Sequence, residues 1–149
     1  MKILVDADAC PVKEILVSAA RRRGIPVTML IDTSHVLDDG YSTVIPVDQG
    51  RDSADLRLVN LIEPGDLVVT QDYGVAAMSL SRGAKALNQN GLVYDGTNMD
   101  RLLFERALGQ KIRRAGGRAG KNRRRTSGDD ESFRRALERM LDSLQQGDR

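Results

Sequence analysis

The sequence predicts an α/β domain built on a parallel sheet, and three observations carry that reading. Short apolar runs at 3–5, 27–31, 43–47 and 67–69 alternate with stretches whose apolar residues recur at helical spacing. The run at 67–69 is apolar without alternation, the pattern of a strand covered on both faces. The length, 149 residues, suits one domain with one real core.

The first unit reads strand, helix, strand. After the strand at 3–5, Val12, Ile15, Leu16, Ala19 and Ala20 repeat at i, i+3, i+4, i+7 and i+8, and the chain returns to an apolar run at 27–31. Pro11 suits the first helical turn, where its missing N–H is not needed, and Arg21 to Arg23 followed by Gly24 suit a helix end. A third strand at 43–47 leads through a polar stretch into a helix over 53–62 with Ala54, Leu58, Leu61 and Ile62 on one face, ended by Pro64 and Gly65. A fourth strand at 67–69 precedes a short helix carrying Ala76, Ala77 and Leu80 and ending at Gly83. Residues 84–87 and 92–94 are candidate short strands. Thr97 and Asp100 have the spacing of a capping box, opening a helix with Leu103, Ala107 and Leu108 inward.

This divides the chain into an α/β domain over 1–108 and a C-terminal extension over 109–149 that packs on the same domain. The extension starts as a basic segment: from Arg106 to Gly128 there are nine basic residues and no acidic one, interrupted by Gly109, Gly116, Gly117 and Gly120. It reads as flexible. Phe133, Leu137, Met140, Leu141 and Leu144 then share one face of a terminal helix that must dock on something. No internal repeat is visible.

Charge follows the same division. Residues 1–105 carry 10 Lys/Arg against 15 Asp/Glu, a net of −5, and residues 106–149 carry 13 against 6, a net of +7. An acidic body with a basic tail suits a protein that concentrates cations at one place and meets a polyanion at another. No apolar run approaches the roughly 18 residues that span a bilayer, the first strand has no basic region before it, and the single cysteine forms no internal disulfide. These features lead to the expectation of a cytoplasmic protein with no membrane partner, and none of them specifies an oligomeric state.

Ligands of open α/β sheets bind beyond the carboxyl ends of the strands, where strand order reverses. Asp6 and Asp8 follow the first strand, Asp72 follows the fourth, and Asp52 and Asp55 stand near the start of the helix after the third, three residues apart. Carboxylates gathered in one crevice repel one another unless a cation neutralises them or some take up protons. A donor set of carboxylates suits Mg²⁺ or Mn²⁺, and with one histidine and one cysteine a zinc site of the usual kind lacks ligands. Each aspartate alone could instead serve as a helix cap; capping does not explain why several collect at one edge. Asp38, Asp39 and Asp48 read as loop carboxylates, Cys10 as a small packed residue and His35 as a turn residue. The basic segment reads equally as a solvated tail or as a nucleic-acid contact through Lys111, Arg113, Arg114, Arg118, Lys121, Arg123, Arg124 and Arg125.

The runs DADACPVK at 6–13, GRDSADLRLV at 50–59, VTQDYGVAA at 69–77 and NMDRLL at 98–103 resemble the YaiI/YqxD family of bacterial proteins over nearly the whole chain. That family looks like a branch of the PIN-like nucleases. The resemblance implies a three-layer PIN-like, Rossmann-like fold with strand order 3-2-1-4-5 and a C-terminal helical extension. It also implies acidic residues that use Mg²⁺ or Mn²⁺ for phosphodiester hydrolysis, with Asp6, Asp55 or Asp52, and Asp72 matching the family pattern. No counterpart stands for the further glutamate of many PIN nucleases, for which Asp8 is the candidate substitute. The tail GKNRRRTSGDDESF replaces an expected Gly-Pro-Lys run.

Three functions follow. The first is a metal-dependent nuclease, acting on RNA, with Asp6, Asp8, Asp55 and Asp72 as catalytic residues and Asp52 joining them around the ion. The second is a nucleic-acid-binding or regulatory module without turnover. The third is a phosphatase of the haloacid-dehalogenase type with Asp6 as nucleophile and Asp8 as acid/base; it leaves Asp52 and Asp55 without a role.

Overall fold

The computed structural model describes residues 1–8, 10–32, 38–47, 53–116 and 124–147. The elements are β1 (Ile3–Asp6), α1 (Lys13–Arg23), β2 (Val27–Asp32), β3 (Thr43–Val47), α2 (Ser53–Leu61), β4 (Leu67–Val69), α3 (Tyr73–Ser81), β5 (Lys85–Leu87), β6 (Val93–Tyr94), α4 (Gly96–Arg114) and α5 (Ser127–Gly147). They form one sheet of order β3-β2-β1-β4-β5-β6, parallel except for the last pair. The expected order holds for five strands. The difference is the sixth, which runs antiparallel because only five residues, 88–92, separate it from β5, too few for a crossover.

Alternation along the central strands sorts side chains into two apolar layers. Ile3 and Val5 of β1, Met29 of β2 and Leu67 and Val69 of β4 meet Leu16 and Ala20 of α1 and Phe133, Leu137 and Leu141 of α5. Leu4, Leu30 and Val68 point the other way, onto Leu58 and Val59 of α2 and Val75 of α3. A smaller cluster joins Ala76, Ala86 and Tyr94 to Met99 and Leu102 of α4. The sheet is thus sandwiched between α1 and α5 on one face and α2, α3 and α4 on the other. No helix among the described residues is long and apolar enough to cross a membrane.

Three boundaries differ from the sequence-based expectation, and so does the inner face of α4, where Met99 and Leu102 pack inward while Leu103, Ala107 and Leu108, expected there, are exposed because the helix runs on past the edge of the core. Helix α1 takes Val12 as its cap, so Pro11 precedes the helix rather than opening it, and the helix closes on Gly24 at φ +67°. Asp95, not Thr97, caps α4: its carboxylate accepts from the amides of Thr97 and Asn98, and the Asn98 side chain accepts from the Asp95 amide, completing a capping box. The same helix runs through Gly109 to Arg114, so the beginning of the basic segment is helical rather than irregular.

The C-terminal helix docks on α1, as its apolar face requires. Around that seam Glu138 bridges Arg22 at 2.9 Å and Arg23 at 2.5 Å, and Asp142 meets Arg23 at 2.8 Å. At its other end Gly91, in the β5–β6 turn at φ +89°, lies so close that a Cβ would stand 2.5 Å from the Ser132 carbonyl oxygen.

Candidate functional site

Strand β1 lies at the centre of the sheet, between β2 and β4, so the turn that follows it opens at the switch point. The ladder extends one residue past the strand, with the Ala7 amide donating to the Leu30 carbonyl at 3.0 Å. Lys13 Nζ then donates to the Ala7 carbonyl at 3.0 Å and fastens the turn to α1. Asp6 is left half-buried at the strand's end and Asp8 exposed beyond it.

Asp72 is fixed more tightly. The Thr70 amide donates to Leu87, the Asp72 amide donates to Thr70 Oγ1 at 3.0 Å, and the buried Tyr94 hydroxyl donates to the Thr70 carbonyl at 3.2 Å. Asp72 caps α3 by accepting from the Val75 amide through Oδ1 at 3.0 Å, which leaves Oδ2 outside the cap. A Cβ on Gly74 would stand 3.1 Å from that Oδ1, so a glycine there gives the carboxylate its room.

Asp55, in the first turn of α2, faces Asp72 across a cleft of about 350 Å³ whose other walls are Leu56, Val59, Gly74, Val75 and Met78. The crevice has a clear electrostatic signature. The Asp6 carboxyl is pushed up to about 6 by its burial, then by the negative charges of Asp55, Asp8 and Asp72. Asp6 thus senses three of the other four aspartates singled out in the sequence, and the remaining one, Asp52, lies outside the described residues. They do not converge on a point: among the described residues no three His, Cys, Asp or Glu side chains stand together as a ready metal cage. Mg²⁺ is usually held by one or two carboxylates with waters and substrate phosphates, so this all-oxygen set fits such an ion without a cage.

The basic candidates separate into different surroundings. Lys111, Arg113 and Arg114 are exposed on the last turns of α4, and Arg124 is exposed ahead of α5. Arg118, Lys121 and Arg123 lie outside the described residues, as do Asp48 and His35. Arg125 is half-buried and fully engaged, donating to Asp130 at 2.8 Å, to the Asn90 side chain at 2.6 Å and to the Gln89 carbonyl at 2.7 Å. Its guanidinium clips the β5–β6 turn to the start of α5. The bland readings of Asp38, Asp39 and Cys10 agree with the structure: both carboxylates accept amides of their own loop, and Cys10 is buried with its thiol pushed up by that burial.

Two residues passed over in the sequence matter here. Asp66, 2% exposed at the start of β4, is buried with its carboxylate engaged, accepting from Lys2 Nζ at 2.6 Å and from the amides of Lys2 and Glu63. Arg106 of α4 shares a recess of about 300 Å³ with Gln71, Asp72 and Tyr73. No local pattern marks either; Arg106 in particular looks like the first residue of the basic segment until α4 is seen to lie along α3.

Sequence comparison places the chain among known proteins. The profile described as "Uncharacterized BCR, YaiI/YqxD family" matches residues 4–143. A UPF0178 protein of Ruminiclostridium cellulolyticum is 66% identical over 137 residues, covering 92% of this chain and 90% of the relative. UPF0178 proteins of Alkaliphilus oremlandii and Clostridium acetobutylicum are 51% and 49% identical, covering 95% of this chain and 92% and 97% of their own lengths. No solved structure matches. A profile that spans the domain and relatives this similar along their whole lengths lead to one conclusion: the chain belongs to the YaiI/YqxD family.

Proposed function

We propose that the protein is a metal-dependent phosphodiesterase of the PIN-like kind, acting on RNA through the aspartates at the carboxyl edge of β1 and β4. One observation carries this reading. Asp6 is half-buried at the switch point and also bears the repulsion of Asp55, Asp8 and Asp72, an arrangement that disfavours its ionisation, first by burial and then by charge, and that a bound cation would relieve. The described part of the set contains only carboxylate oxygens, which suits Mg²⁺ or Mn²⁺. Asp6 and Asp72 would hold the ion from the ends of adjacent strands, with Asp55, Asp8 and Asp52 around them. When bound, the ion supplies Lewis acidity and charge neutralisation at the scissile phosphate.

The chain's own contributions follow from its geometry. Thr70 holds the Asp72 backbone and the Val75 amide holds its carboxylate, so less side-chain entropy is left to lose there on binding. Val59 and Val75 give the cleft a buried apolar floor, with Leu56 and Met78 exposed at its rim. The exposed cations at the end of α4 offer contacts to the polyanion away from the acidic centre.

The test is cleavage of labelled single-stranded RNAs with Mn²⁺ by the full chain, beside Asp72→Asn. Asparagine keeps the Oδ1 acceptor that caps α3 and removes only the charge, so the variant should fold and lose cleavage. Turnover of a phosphomonoester through a trapped aspartyl-phosphate would replace this reading with the phosphatase. Tight RNA binding without any cleavage would replace it with the non-catalytic module.

A further inference from the structure

The proposed ion neutralises charge at the scissile phosphate only, and an acidic crevice still repels the neighbouring phosphates, so a cation of the protein beside it would favour the strand. On the α4 side of Asp72 the lining changes sign: the recess walled by Gln71, Asp72 and Tyr73 carries Arg106 as its fourth wall. Arg106 follows the buried Met99 and Leu102 at i+7 and i+4, which places it on the same side of α4 but one turn beyond the core, where it is exposed. An apolar residue would continue that face; a guanidinium there meets polar walls instead.

Its surroundings are fixed while the group itself is uncommitted. The Tyr73 ring stands edge-on to Tyr94 with centroids 6.0 Å apart, and Tyr94 is tied to the Thr70 carbonyl, while the hydroxyl of the same threonine positions Asp72. The neighbouring acid, Glu105, is engaged by Arg101 at 3.1 Å, and Arg106 enters no ion pair among the described residues although it shares the recess with Asp72. Arg113 lies two turns further along the same face, about 10 Å on.

We propose that Arg106 is a phosphate-binding residue of this site, taking the backbone phosphate next to the one that faces the carboxylates, and that the strand leaves the crevice along α4 past Arg113. The identity of the ligand as a nucleic-acid strand rests on the nuclease reading above. The planar guanidinium matches two phosphate oxygens, a geometry that lysine does not reproduce.

The experiment measures binding apart from turnover: fluorescence anisotropy of a labelled ten-uridine RNA with full-length Asp72→Asn protein in Mg²⁺, over a salt series. Adding Arg106→Ala should weaken binding roughly tenfold and flatten the salt slope by about 0.7, one phosphate contact. Arg106→Lys should keep the slope and lose part of the affinity, while Arg101→Ala, on the paired outer side, should change neither. Affinity and slope untouched by Arg106→Ala overturn the proposal, and so does an equal loss from Arg101→Ala, which would mean diffuse charge. An Arg106 effect in a protein whose native form cleaves no RNA sinks the nuclease reading and leaves the subsite standing; cleavage with no Arg106 effect does the reverse.

Discussion

At the amino end of the central strands Asp66 is buried beside Lys2 and accepts two backbone amides, whereas at the carboxyl end of the same strands Asp6 is half-buried against three other carboxylates. Both sit in the middle of the sheet, β1 beside β4, about one strand length apart. Burial alone does not make a carboxylate costly. What differs is company: a cation and donors offset burial at one end, and like charges add to its cost at the other. The first arrangement serves the fold, and the second opposes it in the absence of a counter-ion, which is the mark expected of residues kept for binding. The α1–α5 seam belongs with the first kind, since the Arg23 guanidinium beside Glu138 holds that carboxyl below its usual range.

The contrast breaks most visibly at Asp66. Asp66→Ala should cost about 3 kcal/mol of stability, because the Glu63 and Lys2 amides lose their acceptor and Lys2 loses its partner; urea unfolding measures it, and a loss below about 1 kcal/mol would make the two ends equivalent. Added Mn²⁺ at a hundredfold excess over its Kd should raise the unfolding free energy by about 2.7 kcal/mol, and Asp6→Asn or Asp72→Asn should abolish the gain. A melting temperature indifferent to millimolar metal would remove the reason for the acidic end.

Next in size is the pH dependence of the metal-free protein. A carboxyl with a folded value of about 6 against 3.8 unfolded binds its proton more readily when folded. Its penalty is therefore absent below about pH 4, grows as pH rises through 6 and is complete above it. Relative to Asp6→Asn, the native chain should lose on the order of 1 to 2 kcal/mol between about pH 4 and pH 7.5, after allowance for solvent screening. A flat difference across that range would mean that neither burial nor the neighbouring carboxylates disfavour ionised Asp6. The smallest effect concerns the basic end of α4: replacing Lys111, Arg113 and Arg114 by alanine should leave stability within about 0.5 kcal/mol. It should also flatten the salt dependence of RNA binding by up to about 0.7 for each phosphate that is no longer neutralised. An unchanged slope would identify that end of α4 as a solvated surface.

Much of the fold is legible because it is written in periodicity. The i, i+3, i+4 series from Val12 to Ala20 marks α1, and the unbroken apolar runs mark β1 and β4. The pairing β5–β6 is not, since two residues, Val93 and Tyr94, contain no period to read. Around α4 two capping patterns compete within six residues, Asp95–Asn98 and Thr97–Asp100, and only tertiary placement of Met99 and Leu102 decides between them. Gly109 reads as an interruption, but one glycine costs a helix only about 1 kcal/mol. Of the candidate site, the positions of Asp6, Asp55 and Asp72 follow from where strands and helices end. Arg106 and Asp66 depend on Tyr73 and Lys2, distant in sequence, and nothing local announces them.

The outer strands of the sheet have a further effect on how copies of this chain meet. A parallel sheet with open margins offers rows of unpaired N–H and C=O groups to any passing strand. Here one margin is β3, which carries Pro46 and so lacks a donor within the strand, and the other is β6, only two residues long. Neither offers a continuous template. Edge-to-edge fibre growth is thereby blunted at both margins, even though Phe104 and Leu108 leave apolar surface exposed on α4.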